Sequence, residues 1–168
     1  RIFEAAGPGS INLGLGQPDF DTPQHIKDAA SKAIQDGKTG YTTNNGIPEL
    51  LSVLSSRGLR LAVLSNKPDH FTTRIVRYFF PEVPFDPVFG YREGIPRKPD
   101  PTAALDIVKR FGLIKTEVLY IGDTNTDMQT ANAADLYAVG AAWGFRPVEE
   151  LADSGAQAII NHPLELLD

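Results

Sequence analysis

The sequence predicts an α/β domain built on a doubly wound parallel sheet, and three features point to it. Helical and strand-like patterns alternate from Pro48 onward. The strand-like runs are continuously apolar, as in Leu61-Ala62-Val63-Leu64 and Val118-Leu119-Tyr120-Ile121, which is the mark of strands covered on both faces. Polar residues follow those runs directly, where an open parallel sheet binds ligands beyond the carboxyl ends of its strands. A chain of 168 residues suffices for one core and is short for two, so a single sheet is expected.

The elements follow in order. Residues 11–16 are a short apolar stretch broken by Gly14 and Gly16, and residues 17–23 are rich in turn formers. Residues 24–36 place Ile26, Ala29, Ala30, Ala33 and Ile34 on one helical face, and residues 37–46 form a polar loop containing Tyr41. A helix over 48–57, with Leu50, Leu51 and Leu54 in register, stops at Gly58 and gives way to a buried strand over 59–64. The spacing then predicts a helix over 69–79 capped by Asp69, an extended stretch near Val88, and a helix over 101–111 after a Pro-rich approach. A strand over 117–121 follows, and short helices over 127–134 and 148–152 flank strands over 137–141 and 158–160.

Composition narrows the function. The hydrophobic fraction of 42% and charged fraction of 22% are those of a globular protein. A net charge of −5 argues against broad contact with nucleic acid or anionic membranes, both of which need clustered cations. Without Cys there is no thiol nucleophile, thiolate ligand or disulfide, which suits a reducing cytoplasm. No apolar run reaches membrane-spanning length, and a cytoplasmic location is expected.

Three polar strings carry the chemistry: Ser65-Asn66-Lys67, Arg97-Lys98-Pro99-Asp100-Pro101, and Gly122-Asp123-Thr124-Asn125-Thr126-Asp127. A serine hydroxyl can donate to a phosphoryl oxygen, and a lysine can neutralise charge that develops during transfer. Two carboxylates suit Mg²⁺, which takes one or two of them together with phosphate and water. Each residue alone also has an ordinary reading: Ser65 as a turn residue, Lys98 as a solvated charge, Asp123 or Asp127 as a helix cap. Their order, each after its own strand or loop, favours one site for a small phosphorylated metabolite. His25, His70 and His162 have no metal-ligand spacing.

These strings resemble the second, third and fourth motifs of haloacid dehalogenase superfamily phosphatases, with phosphoglycolate phosphatases the nearest in character. The likeness covers about residues 46–168 and includes Ala142-Trp143-Gly144-Phe145-Arg146 and Asn161-His162-Pro163. It implies a Rossmann-like core of the haloacid dehalogenase type, with Ser65, Asn66 and Lys98 on the phosphoryl group and Asp123 and Asp127 on Mg²⁺. It also implies an aspartyl nucleophile and a second, acid/base Asp at the end of a first strand, followed by a helical cap. The chain has no normal version of that strand or cap, so the first strand is expected to be replaced or incomplete.

Residues 2–50 instead resemble the N-terminal segment of class I/II aminotransferases, through the strings from Asn12 to Pro23 and from Gly40 to Leu50. That likeness implies Gly16 near a substrate carboxylate and Tyr41 near a pyridoxal phosphate. The Schiff-base Lys and large downstream domain of those enzymes have no counterpart, so pyridoxal phosphate and transamination are not expected. The two likenesses overlap at Gly46-Ile47-Pro48-Glu49-Leu50, which reads as the junction of a chimera. Residues 1–48 are then a borrowed segment without independent domain status, and 49–168 the phosphatase core.

Asp19 and Asp21 spell the acidic pair the core lacks. Were 11–16 the first strand, Asp19 would stand just past its end as nucleophile and metal ligand, with Asp21 as its acid/base partner. Pro18 cannot donate a ladder hydrogen bond, and Gly14 and Gly16 weaken a strand. A Pro-Asp turn with Thr22 as N-cap and Pro23 at the first helical position accounts for the same residues. The reading is an Mg²⁺-dependent phosphate-monoester hydrolase core impaired by its missing nucleophile. The alternative is a folded, catalytically silent protein that binds Mg²⁺ or phosphate. An incomplete strand also leaves ladder groups unpaired, a route to homodimers.

Overall fold

A computed structural model of the chain describes residues 46–168 together with Gln24, Asp28, Ser31 and Lys32. Those four are helical, as expected for the 24–36 segment, and Gln24 Nε2 donates to Asp28 Oδ1 at 2.8 Å. The stretch 11–16 and the residues Gly16, Asp19, Asp21 and Tyr41 lie outside the described residues. The chain divides into compact units at 1–42 and 43–168, and every strand among the described residues lies in the second.

Helix α1 (Ile47–Ser56) begins behind Gly46 at φ 101° with Pro48 in its first turn, where a missing N–H costs nothing. Strand β1 (Leu61–Pro68) leads directly into α2 (Asp69–Phe79), and β2 (Phe85–Tyr91) follows. Helix α3 (Thr102–Phe111) ends where Gly112 takes the left-handed conformation, φ 63°. A 3₁₀ turn (Lys115–Glu117) precedes β3 (Leu119–Gly122), then α4 (Asn125–Ala134), β4 (Tyr137–Ala141), α5 (Val148–Asp153), β5 (Ala158–Ile160) and a closing 3₁₀ turn (Pro163–Leu167).

All ladders among the described residues are parallel, as the apolar runs predict. Among the described residues β1 pairs with β2, and β3, β4 and β5 pair in that order as a separate sheet. Among the described residues β3 has a ladder partner on one side alone; Leu119 and Ile121 are 53% and 41% exposed, whereas Ala138 and Val139 of neighbouring β4 are 0% and 3% exposed.

A departure from expectation is the length of β1, which runs on to Pro68 through a bulge. Leu64 pairs with Phe89 and Pro68 with Tyr91, so three residues of β1, Ser65 to Lys67, stand opposite Gly90 alone. Such a bulge bends the strand and re-aims its side chains. Asp69, expected as a cap, instead accepts from the Gly90 N–H through Oδ1 at 2.9 Å and ties α2 to β2. A side chain at Gly90 would overlap the Asp69 backbone, so only glycine fits there.

Two apolar clusters hold the unit together. One gathers Ala104, Val108, Met128, Ala131, Leu136 and Leu151; the other gathers Phe89, Ile107 and Phe111. Helix α3 contributes to both, and Leu64 packs against both, so the β1–β2 ladder and the β3–β4–β5 ladder share a core. Met128 is fully buried in the first cluster. Met128→Ala is expected to lower the unfolding free energy by about 3 kcal/mol, read as a lower urea midpoint at unchanged m-value.

Candidate functional site

The strings singled out from sequence meet at the carboxyl ends of β1 and β3. The loop before α3 carries Lys98 to the end of β1, and Asn66 fixes it there. Asn66 Oδ1 accepts from the Lys98 N–H at 2.9 Å, and Asn66 Nδ2 donates to the Lys98 carbonyl at 3.0 Å. The side chain expected at the ligand thus positions the backbone of its neighbour.

Lys98 Nζ then donates to the Leu64 carbonyl at 3.3 Å and to Asp127 Oδ1 at 2.6 Å. Both partners of the ion pair are buried, 12% and 8% exposed at their side chains. Ser65 lines the same small cavity as Asn66 and Lys98. Its Oγ accepts from the Lys67 N–H at 3.2 Å, the turn geometry expected of a lone serine, which leaves the hydroxyl proton to be donated elsewhere.

The two aspartates after β3 have different surroundings. Thr124 is the N-cap of α4, and Asp127 completes a capping box with it. Asp127 Oδ2 accepts from Thr124 N at 3.2 Å and Thr124 Oγ1 at 2.7 Å, while Oδ1 accepts from Lys98 and from the Tyr120 hydroxyl at 3.4 Å. Four donors occupy a carboxylate that has about four acceptor sites. Asp127, expected as a metal ligand, therefore anchors Lys98 and the start of α4 in this arrangement. Asp123 accepts through Oδ2 from the Phe145 N–H at 2.9 Å, and its carbonyl accepts from Arg146 N at 3.2 Å. Among the described residues no donor reaches Asp123 Oδ1.

Glycines make this packing feasible. A Cβ on Gly122 would overlap the Asp127 side chain, and one on Gly144 would overlap that of Asp123. Tyr120, Thr124 and the Gly144-Phe145 loop were missed as contributors by sequence reading. Only Trp143-Gly144-Phe145, quoted for its family likeness, carried a hint.

Among the described residues no three His, Cys, Asp or Glu side chains gather into a metal-binding group. The donor set fits Mg²⁺ in one way: through Asp123 Oδ1 completed by phosphate and water, since Mg²⁺ needs only one or two protein carboxylates. It does not fit a cation caged by protein alone.

The sequence model of the haloacid dehalogenase-like hydrolases matches residues 15–141, about three quarters of the chain. The chain belongs to this family. A solved structure from Lactobacillus delbrueckii subsp. bulgaricus, provisionally named a phosphoglycolate phosphatase, is 30% identical with a TM-score of 0.70, over 90% of this chain and 67% of that one. The phosphoglycolate phosphatase of Salmonella choleraesuis is 27% identical over 94% of this chain and 66% of its own length. A second match is local: the aspartate aminotransferase of Pyrococcus horikoshii is 62% identical over 52 residues, 30% of this chain and 13% of that enzyme. The chain thus spans about two thirds of its phosphatase relatives and a small part of its aminotransferase relatives. The family match starts at residue 15, well upstream of the junction expected at residue 48.

Two outcomes are expected from the buried carboxylate. Removing one member of a buried ion pair leaves the other uncompensated. Lys98→Met is expected to cost about 3 kcal/mol in urea unfolding, and adding Asp127→Asn to that variant should recover part of the loss. Burial, and then the charge of Asp127, push the Tyr120 phenol above its ordinary pKa of 10.0. The folded chain thus holds that proton more tightly than the unfolded chain. Its contribution to stability is full below about pH 10 and is lost as the pH rises beyond it. Tyr120→Phe should flatten the fall in urea midpoint on the alkaline side.

Proposed function

We propose that the chain is the phosphoryl-binding core of an Mg²⁺-dependent phosphate-monoester hydrolase similar to phosphoglycolate phosphatases, fused to an aminotransferase-like segment and impaired in turnover. The observation that carries this reading is the placement of Lys98 beside Ser65 at the end of β1, held by Asn66 and Asp127. A fixed ammonium and a hydroxyl donor suit the oxygens of a phosphoryl group. Bound Mg²⁺ would supply Lewis-acid charge at that group, with Asp123 as its protein ligand. The substrate class is a small phosphorylated metabolite in the cytoplasm, and the edge strand β3 offers a homodimer contact. Among the described residues no helix is long and apolar enough to cross a membrane.

Impairment follows if no carboxylate takes the place of the nucleophile. The family match spans Asp19 and Asp21, which keeps both as candidates. The second reading, a silent binder of Mg²⁺ or phosphate, is favoured by Asp127, whose oxygens are already taken.

Hydrolysis of p-nitrophenyl phosphate with Mg²⁺, alongside phosphate binding followed by ³¹P NMR, tests both. Slow turnover is expected, with phosphate affinity reduced about tenfold by Ser65→Ala, the loss of one charge-assisted hydrogen bond. Turnover abolished by Asp19→Asn identifies the nucleophile. Binding without turnover in either protein gives the silent reading, and absence of phosphate binding overturns both.

A further inference from the structure

A groove of about 460 Å³ opens where α2 turns back into β2, and it shares no lining residue with the cavity at Ser65 and Lys98. A volume of this order suits a small ligand. Its apolar wall is formed by Val76 and Phe80 at the end of α2 and by Phe85 and Val88 in β2, all four half-buried. The rings of Phe80 and Phe85 meet edge to face with centroids 6.1 Å apart, and Phe80 N donates to the Val76 carbonyl at 2.9 Å. The wall is thus fixed by the chain reversal itself.

Two side chains of opposite charge, Arg77 and Asp86, line the same groove. Arg77 stands in the last turn of α2, where a cation complements the carbonyl end of the helix, and Asp86 directly precedes the buried Pro87. Either alone would pass for a solvated surface charge. Among the described residues, however, neither side chain makes a hydrogen bond or an ion pair, with the other or with a third group. An anion drawn to the guanidinium would meet the Asp86 carboxylate in the same groove, and a cation drawn to that carboxylate would meet Arg77, so each gives back part of its gain as repulsion. A neutral apolar molecule would cover both charges and leave them unpaired. A zwitterion with an apolar side meets both charges and the wall together.

We infer that this groove is a binding site for a free amino acid with an apolar side chain, its carboxylate on Arg77, its ammonium on Asp86 and its side chain against Phe80 and Phe85. Both charged groups are exposed, so each pairing contributes modestly and selectivity comes from having the two at once.

The test titrates the ¹⁵N-labelled full chain with L-phenylalanine, with 2-phenylethylamine, which lacks the carboxylate, and with 3-phenylpropionate, which lacks the ammonium, and follows the amide resonances of Val76, Phe85 and Val88. L-Phenylalanine should shift them, and each analogue should bind about fivefold more weakly, as loss of one exposed ion pair predicts. Arg77→Met should erase the preference over 2-phenylethylamine and keep that over 3-phenylpropionate, while Asp86→Asn should do the reverse. Resonances that L-phenylalanine leaves in place, or that all three compounds move at equal concentration, overturn the site without need of any variant. A preference for L-phenylalanine unchanged in both variants overturns the roles given to Arg77 and Asp86.

Discussion

The ion pair between Lys98 and Asp127 joins pieces of backbone that belong to different sheets. Lys98 is held at the end of β1 by Asn66 and by the Leu64 carbonyl, and Asp127 opens α4 directly after β3. No ladder links those strands among the described residues; there, this contact and the core shared through α3 tie their carboxyl ends together. Hydrophobic packing is non-directional and tolerates small sliding; a buried charge pair with a 2.6 Å contact does not. The same atoms that align the two halves therefore place the ammonium beside Ser65, and site geometry becomes a consequence of fold integrity.

Two aspartates of one loop illustrate how environment divides labour. Asp127 meets four donors and is saturated, while Asp123 meets one at its carboxylate and keeps an oxygen clear. Glycine is what permits each arrangement, Gly122 against Asp127 and Gly144 against Asp123. A carboxylate with satisfied lone pairs holds structure together, and one with a spare oxygen has room for a further donor or a cation. Residue type alone could not separate them, which is why sequence reading assigned both to the metal.

Much of the fold was legible because its signals are local and periodic. Helix α2 and strands β4 and β5 have the bounds that apolar spacing predicts, and Gly112 stops α3 as an αL glycine should. The bulge at Ser65 to Lys67 was not legible, since it reflects the register of β1 on β2, a pairing between distant residues. Ser65, Lys98 and Asp123 were legible as candidates because they follow strands of an α/β pattern. The second role of Asn66, the reach of Tyr120 and the stacking of Arg92 on Phe89 depend on tertiary placement and leave no pattern in the text.

The arrangement also separates recognition from bond cleavage. The Lys98 ammonium and the Ser65 hydroxyl line one cavity and would answer to charge on a ligand whether or not a bond is broken. Groups that bind ground state and transition state alike do not accelerate a reaction. Acceleration requires an atom that attacks, and the carboxylates of this site are one that anchors a lysine and one suited to a cation. Recognition and bond cleavage would then draw on different residues of the chain.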